Sequence, residues 1–405
     1  MDRKQSYIGS YPFDWSLSVF DTVAELKHGY QFRTHDFTDE GIKIFKITQI
    51  KNDGTIDISN CDFIEAKRLE SFKKFIIAKG DILMALSGAT IGKIARFNSN
   101  EVVLQNYRVG NFIPLDEKVL SKDYFYYFLT TDYTYQQIIA NLTQSAQENI
   151  GKEDIHKMVL FLPPLSEQTA IAEVLSSLDD KIDLLHRQNK TLDQLAETLF
   201  RQWFVEESDE GWEEATIRDI ADHVKESINP SKSPDTIYHH FSLPAFDDGK
   251  VPKAEIGKEI LSNKYKVVAN SILISKLNPR FPRIWELYGD SVPENAICST
   301  EFQIIKPKDI KMFGFIYCFL KSTQVTQELA NAAGGTSGSH QRINPDDIFN
   351  LAFQVPRNNL IEKFDLITKE HFQKIKYNSQ QIQTLTKLRE TLLPKLMSGE
   401  VRLNQ

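Results

Sequence analysis

Between residues 165 and 204, "LSEQTAIAEVLSSLDDKIDLLHRQNKTLDQLAETLFRQWF", apolar residues return at steps of three and four: Leu175, Leu178, Ile182, Leu185, Leu192 and Leu199, with Ala196 and Trp203 continuing the series. This is the spacing of a heptad seam. At about 1.5 Å per residue the stretch predicts a helical rod of roughly 60 Å. Ser166 is the expected N-cap after Pro163 and Pro164, with Glu167 in the first turn. Asn189 falls on the seam, where a lone amide commonly fixes register and partner at some cost in stability. A long amphipathic helix lying on one globular core is the competing expectation, but the pattern lasts for four heptads.

A second rod is predicted near the C-terminus. In "NNLIEKFDLITKEHFQKIKYNSQQIQTLTKLRETLLPKLMSGEVRL", Ile361, Phe364, Ile375, Ile382, Leu385, Leu392 and Leu396 repeat the spacing. Asn359 and Glu362 resemble a capping box at its start, and Pro394 and Gly399 mark its end. Two rods of similar length in one chain predict an intramolecular coiled coil.

The remainder reads as mixed α/β. "FKKFIIAKGDILMAL", "GKIARF" and "YRVGNFIPL" have the pattern of strands parted by Gly-containing turns, and "SKDYFYYFLTTDYTYQQIIANL" that of a helix. Later in the chain "KYKVVANSILISK", "FQIIKP" and the helix "MFGFIYCFLKSTQVTQELANAA" follow the same order. The chain is therefore a duplication. Residues 149–168 align with 342–361, Asp154-Ile155 on Asp347-Ile348 and Pro163 on Pro356, an offset of 356 − 163 = 193. "KGDILMAL" (79–86) matches "ANSILISK" (269–276), "LQNYRV" (104–109) matches "STEFQI" (299–304), and "WSLSVFDTVAE" (15–25) matches "WEEATIRDIAD" (212–222). The order is globule, rod, globule, rod.

Composition changes this picture little. At 405 residues the chain suits two domains plus connections, and 41% hydrophobic with 25% charged residues is ordinary globular composition. No apolar run approaches the roughly 18 residues of a membrane span, and "MDRKQSYIGSYPFDW" lacks the apolar core of a signal peptide. A cytoplasmic protein without a membrane partner is expected. Cys61, Cys298 and Cys318 are widely spaced and odd in number, indicating neither a disulfide framework nor a zinc site.

Charge matters more by place than by sum. The net charge of −7 weighs against a polyanionic partner, yet residues 205–222 alone hold eight acids and one base. Residues 263–283 carry five bases (Lys264, Lys266, Lys276, Arg280, Arg283) and no acid, and 64–108 carry eight bases against four acids. Each half thus has a locally basic segment, the electrostatic footprint a nucleic acid requires, although a solvated charged surface would look the same. After its last helix each copy also has a polar loop, "TQSAQENI" (143–150) and "GGTSGSHQRI" (334–343). Ordinary loop chemistry would suffice for these, but Gln or Asn can read adenine and Arg can read guanine.

Catalytic templates fail. "GATIGK" (88–93) has three residues rather than four between its glycines, and Ile94 replaces the Ser/Thr of a phosphate loop. Asp57 with Glu65-Ala66-Lys67 suggests a metal-dependent nuclease, but no counterpart occurs in the second copy. Pro163-Pro164 lacks the flanking residues of an amino-methyltransferase site, no cofactor fingerprint follows a strand, and His239-His240 is expected to be a loop pair without metal spacing. A non-catalytic chain with no metal and no cofactor is expected.

"LPPLSEQTAIAEVLSSLDDKIDLLHRQNKTLDQLAETLFRQWF", with "LSGATIGKIARF" before it and "LRETLLPKLMSGEVRL" at the end, closely resembles the DNA-specificity subunit of type I restriction-modification systems, over essentially the whole chain. The resemblance implies an α+β fold of two duplicated mixed α/β target-recognition domains, separated by two long helices that form an intramolecular antiparallel coiled coil. On that plan residues 1–164 are the first recognition domain, 165–205 the central spacer helix, 206–356 the second recognition domain, and 357–405 the C-terminal spacer helix and tail. It further implies that each domain reads one half of a bipartite double-stranded DNA target. The coiled coil would hold the readers apart and dock two methyltransferase subunits, with motor-nuclease subunits joining for restriction. The second copy departs from the pattern: "SKLNPRFPRIW" (275–285) stands in place of "ALSGATIGKIARF".

Local charge and repeated position nominate the DNA-contacting residues. Lys73, Lys74, Lys93 and Arg96, and in the second copy Lys276, Arg280 and Arg283, are expected on phosphates. Gln144, Ser145, Gln147, Ser339, His340, Gln341 and Arg342 are expected near bases, with Ser87, Thr90, Thr143, Asn278 and Ser337 beside them in the same loops. Leu175, Leu178, Ile182, Leu185, Asn189, Leu192, Leu199, Ile375, Ile382, Leu385 and Leu392 are expected to carry the coiled coil and its partner contacts. A rod of roughly 60 Å exceeds one duplex turn of roughly 34–36 Å, so its length would set the gap between half-sites. A coiled-coil adaptor that never meets DNA is the competing class, and steep salt dependence of duplex binding separates the two.

Overall fold

The computed structural model describes residues 2–51, 54–142, 149–209, 211–289, 292–334 and 341–403. The chain divides into two compact units, Met1–Ile182 with Thr384–Gln405, and Asp183–Gln383. Both long helices contribute to each: the central helix, Leu165–Arg201, leaves the first unit at residue 182, and the C-terminal helix, Asn358–Met397, re-enters it at 384.

In the first unit a four-stranded antiparallel sheet runs in the order Ile94–Arg96, Ile82–Ala85, Val109–Pro114, Ala24–His28. A five-stranded sheet runs Phe37–Thr38, Asp62–Ile64, Ile42–Phe45, Val103–Gln105, Ile76–Ile77, with its third and fourth strands parallel. A two-stranded ribbon joins Ser16–Val19 to Val159–Leu162. The strand Ile82–Ala85 is buried on both faces, which is why it reads as a continuous apolar run instead of an alternation.

The second unit repeats this plan. Its four-stranded sheet runs Ala221–Val224, Phe302–Pro307, Ser271–Ser275, Ile284–Leu287, and its ribbon pairs Glu214–Thr216 with Ala352–Gln354. Its five-stranded sheet again has one parallel pair, Ile237–Phe241 with Ala296–Cys298. Ala85 faces Val109 as Ser275 faces Phe302, giving offsets of 275 − 85 = 190 and 302 − 109 = 193. Val159 faces Val19 as Ala352 faces Thr216, giving 352 − 159 = 193 and 216 − 19 = 197.

Several expectations need correction. The amide of Asn106 donates to Phe45 as that of Ser299 donates to Phe241, both at 3.0 Å, so residue 106 corresponds to 299 and the alignment of 104–109 with 299–304 was two residues out. Each expected long helix is two: Lys122–Leu129 and Asp132–Leu142 in the first copy, Phe313–Lys321 and Thr323–Ala332 in the second. The break in the second copy is built by Ser322, whose side chain caps the next helix by accepting from the Val325 amide. "FKKF" belongs to a 3₁₀ segment, Ala66–Phe75, before the short strand Ile76–Ile77. His239 and His240 lie inside the strand Ile237–Phe241, where His240 pairs with Glu255 at 3.0 Å, because both neighbours of that strand satisfy its backbone.

The two rods pair antiparallel. In the first unit Asp179 pairs with Arg389 at 2.9 Å; in the second, Asn378 donates to Asn189 at 2.8 Å, so positions fall along one helix as they rise along the other. Leu175 and Leu185 are buried, and Leu178, Ile182, Asn189, Leu192, Leu199, Ile375, Ile382, Leu385 and Leu392 are half-buried. Sequence reading missed Asn378, the fully buried partner of Asn189. The expected caps also differ. Pro164 rather than Ser166 precedes the first turn, its carbonyl accepting from Glu167 and Gln168, and Arg357 plays that part for the C-terminal helix. Glu362, proposed for a capping box, pairs instead with Lys311. Pro394 lies inside the helix, which continues to Met397 because Leu396 and Met397 are buried in the first core; Gly399, with φ +66°, ends it.

Each globule is fastened to its stretch of rod. In the first unit Tyr127 donates to Asp179 at 2.8 Å; in the second, Tyr317 donates to Asp193 at 2.9 Å, with Lys321 bridging Asp193 and Glu197. Phe200, Phe204 and Phe364 pack as a ring cluster with Phe315.

Candidate nucleic-acid interface

In each unit two loops distant in sequence are joined by backbone hydrogen bonds. In the first, residues 86–93 turn between the strands Ile82–Ala85 and Ile94–Arg96, so "GATIGK" is a hairpin loop rather than a strand-to-helix phosphate loop. Leu86 accepts from the Ile150 amide at 3.1 Å and Ser87 bridges Asn149, which brings the end of the polar loop 143–150 against the hairpin. In the second, Leu277 bridges Arg342, Asn278 donates its amide to Gln341 at 2.9 Å, and Ile343 donates to Lys276 at 3.1 Å. Asn278 adopts φ +53°, a left-handed turn that Asn tolerates.

Thr143, Gln144, Ser145, Gln147, Ser337, Ser339 and His340 lie outside the described residues. Among the others, Lys73 pairs with Glu70 at 2.6 Å and Lys74 lies over the Phe75 ring, both exposed. Lys93 is half-buried in the hairpin. Ser87 is buried, and its hydroxyl and that of Thr90 are enclosed without a hydrogen-bond partner among the described residues. Arg96 turns inward, its guanidinium 4.3 Å from the Tyr126 ring and paired with Asp123 at 2.9 Å, so that its side chain is 19% exposed. Arg283 is clamped side-on by Asp247 at 2.7 and 2.9 Å. Lys276 is half-buried, Arg280 is exposed, and neither forms an ion pair among the described residues.

The geometry also brings in residues that local sequence did not nominate. The carbonyl of Arg108 accepts from Leu86 at 2.9 Å, and its exposed side chain donates to the Tyr107 hydroxyl at 2.7 Å. The equivalent carbonyl in the second unit is that of Glu301, accepting from Lys276 at 2.8 Å; 301 − 108 = 193. The Glu301 carboxylate holds Arg342 at 3.1 and 3.3 Å. The only earlier signal was the repeat match around these positions, and the two-residue misalignment hid it. The nuclease candidate finds no support here: Asp57 accepts from Ser59 and pairs with Lys51, hydrogen bonds that pull its carboxyl down to about 2, while Glu65 pairs with Lys67. Among the described residues no group of three or more His, Cys, Asp or Glu side chains could hold a metal. No helix of the described residues is long and apolar enough to cross a membrane.

A family model described as a type I restriction modification DNA specificity domain matches residues 12–194. The chain is 27% identical to the type I restriction enzyme MjaIX specificity subunit of Methanocaldococcus jannaschii, over 99% of this chain and 97% of that protein. It is 23% identical to the type I restriction enzyme HindI specificity subunit of Haemophilus influenzae, over 84% of this chain and 91% of that protein. Among solved structures, the type I restriction-modification S subunit from M. genitalium covers 95% of this chain and is itself covered to 96%, with a TM-score of 0.57 at 18% identity, which supports the fold. With the matched domain, two relatives aligned over most of their length, and the duplicated sheets and paired helices, the chain is similar throughout to the DNA-specificity subunits of type I restriction-modification systems, and residues 12–194 match their specificity domain.

Proposed function

We propose that each unit reads one half of a bipartite double-stranded DNA target through its two joined loops, that the paired helices set the gap between half-sites, and that they dock two methyltransferase subunits. Motor-nuclease subunits complete the restriction complex, and this chain, working in the cytoplasm, contributes recognition without a catalytic step. One observation carries this reading. The same backbone frame presents different chemistry in the two units, Arg108 and Asn149 in the first against Glu301 and Arg342 in the second, each pair related by an offset of 193 (301 − 108 and 342 − 149). A shared frame with unlike polar side chains suits two readers of two different half-sites. The central helix of 37 residues is about 56 Å long, more than one duplex turn.

Adenine-methylation mapping in cells that coexpress this chain with its methyltransferase subunit tests the proposal. A split motif with a fixed unspecified gap is expected, absent with the methyltransferase alone. A stable complex without any motif would leave the chain an assembly adaptor. Docking has its own test. Leu184 and Leu195 are exposed on the central helix, three turns apart on one stripe, and Tyr377 and Leu388 are exposed at the repeat-equivalent places of the C-terminal helix. The double substitution Leu184→Asp/Leu195→Asp is expected to halve the methyltransferase recovered per specificity subunit, read by mass of the purified complex. Unchanged stoichiometry would place docking elsewhere.

A further inference from the structure

The Arg342 and Glu301 side chains form an arrangement that the repeat does not require. At the equivalent places the first unit has Asn149 and Arg108, and its loops keep the same backbone bonds. The pair is therefore not part of the scaffold common to both units. Nor is it held for stability: the Arg342 side chain is 57% exposed, and an isolated exposed ion pair contributes little.

What the pair does is orient. Arg342 is pinned through its backbone, exchanging amide and carbonyl bonds with Gly334 at 3.1 Å each and bridging Leu277. Glu301 is pinned as well, its carbonyl accepting from Lys276 and its amide donating to Ser299. The carboxylate engages the guanidinium side-on, through Nε at 3.3 Å and Nη2 at 3.1 Å. A guanidinium has five N–H groups in a planar fork, so two are used and the end edge keeps two parallel donors on Nη1 and Nη2. Guanine O6 and N7 form the matching pair of acceptors in the major groove. Holding the long side chain in one orientation beforehand also reduces the conformational entropy lost on binding. Asp247 grips Arg283 in the same side-on way, but that side chain is only 23% exposed, so of the two arginines held side-on Arg342 is the one that stands out from the surface.

We infer that Glu301 is a specificity-determining positioning residue, which aims the end edge of Arg342 at one guanine of the half-site read by the second unit. The inference rests on the DNA-reading function proposed above. Its chemistry separates it from two simpler roles for the acid. A glutamate that only competed with DNA for the arginine would, once removed, tighten binding at all sequences alike. An arginine that only met a phosphate would be replaced by lysine with little loss.

The experiment is methylation mapping, in cells, of the complete complex carrying Glu301→Gln, Glu301→Ala, Arg342→Ala or Arg342→Lys. The wild-type motif is expected to contain a guanine whose requirement all four variants weaken, by roughly ten- to hundred-fold in discrimination, while every position of the other half-site stays as strict. Glu301→Ala added to Arg342→Ala should relax that base no further than Arg342→Ala alone. The untouched half-site reports folding, since a damaged subunit would lose methylation at whole motifs. The inference is overturned if Glu301→Ala leaves every base as strict, if the glutamate and arginine variants relax different positions, or if Arg342→Lys restores the wild-type motif. Absence of any split motif in the wild type overturns the DNA-reading proposal itself, a result distinct from a motif that is present and unmoved.

Discussion

Arg402→Ala should lower the unfolding free energy of the first unit by about 3–5 kcal/mol, the usual consequence of leaving a buried charge without its partner. Arg402 donates to Glu167 at 2.5 and 2.7 Å and to Asp14 at 2.8 and 3.0 Å. The Glu167 side chain is only 6% exposed, on the first turns of the central helix, and it also accepts from the Trp15 indole at 2.9 Å. Removing the guanidinium leaves that carboxylate enclosed by Trp15 and the C-terminal segment. For a unit of this size the loss corresponds to roughly 6–20 °C in melting temperature, measurable by calorimetry as a shift of one transition. The effect should shrink in acid. The Arg402 hydrogen bond is the main cause holding the Asp14 carboxyl below its ordinary value, so that contribution is present above about pH 4 and is lost as pH falls through the lowered value. An unshifted transition at neutral pH would mean that water reaches Glu167 in place of the arginine.

The second large effect is on DNA. For the assembled complex, raising salt from about 50 to 200 mM should weaken duplex binding by about 10³-fold if six phosphates are neutralised across both half-sites. Of the nominated cations, Lys74 in the first unit and Lys276 and Arg280 beside the second loop pair form no ion pair among the described residues, whereas Lys73, Arg96 and Arg283 are held by Glu70, Asp123 and Asp247. Replacing Lys74, Lys276 and Arg280 with Gln should lower the salt slope by about three and weaken all sequences alike, leaving the motif unchanged. Duplex affinity indifferent to salt would refute the reader and favour the adaptor. A changed motif would move at least one of the three from phosphate to base.

Much of the architecture was legible before any coordinates, because it is written in periodicity. A seam such as Leu175, Leu178, Ile182 and Leu185 is a local statement: each residue meets the same environment a turn later, and burial of that face follows from helical geometry alone. Duplication is equally visible, since a chain can be compared with itself, and the sheet registers return the offsets 190, 193 and 197 read from strand to strand. Boundaries were less legible. Ser166 and Asn359 have the right chemistry for caps, and Pro394 for a stop, but packing against the first core carries the C-terminal helix on to Met397.

The site itself was half visible. Its loops could be nominated from charge and polarity, yet nothing in their composition says which arginine is free. That Arg96 folds onto Tyr126, that Asp247 takes Arg283, that Asn378 meets Asn189 and that Glu301 takes Arg342 are all contacts between residues far apart in the chain. Such pairs leave no period and no motif. Sequence by itself determined the rods and the doubled globule, because these rest on repetition along the chain, and its motifs carried the family resemblance. Tertiary structure alone decided which polar groups face outward and which are held, because a side chain's partner is chosen by the approach of strands and loops that the chain brings together only on folding.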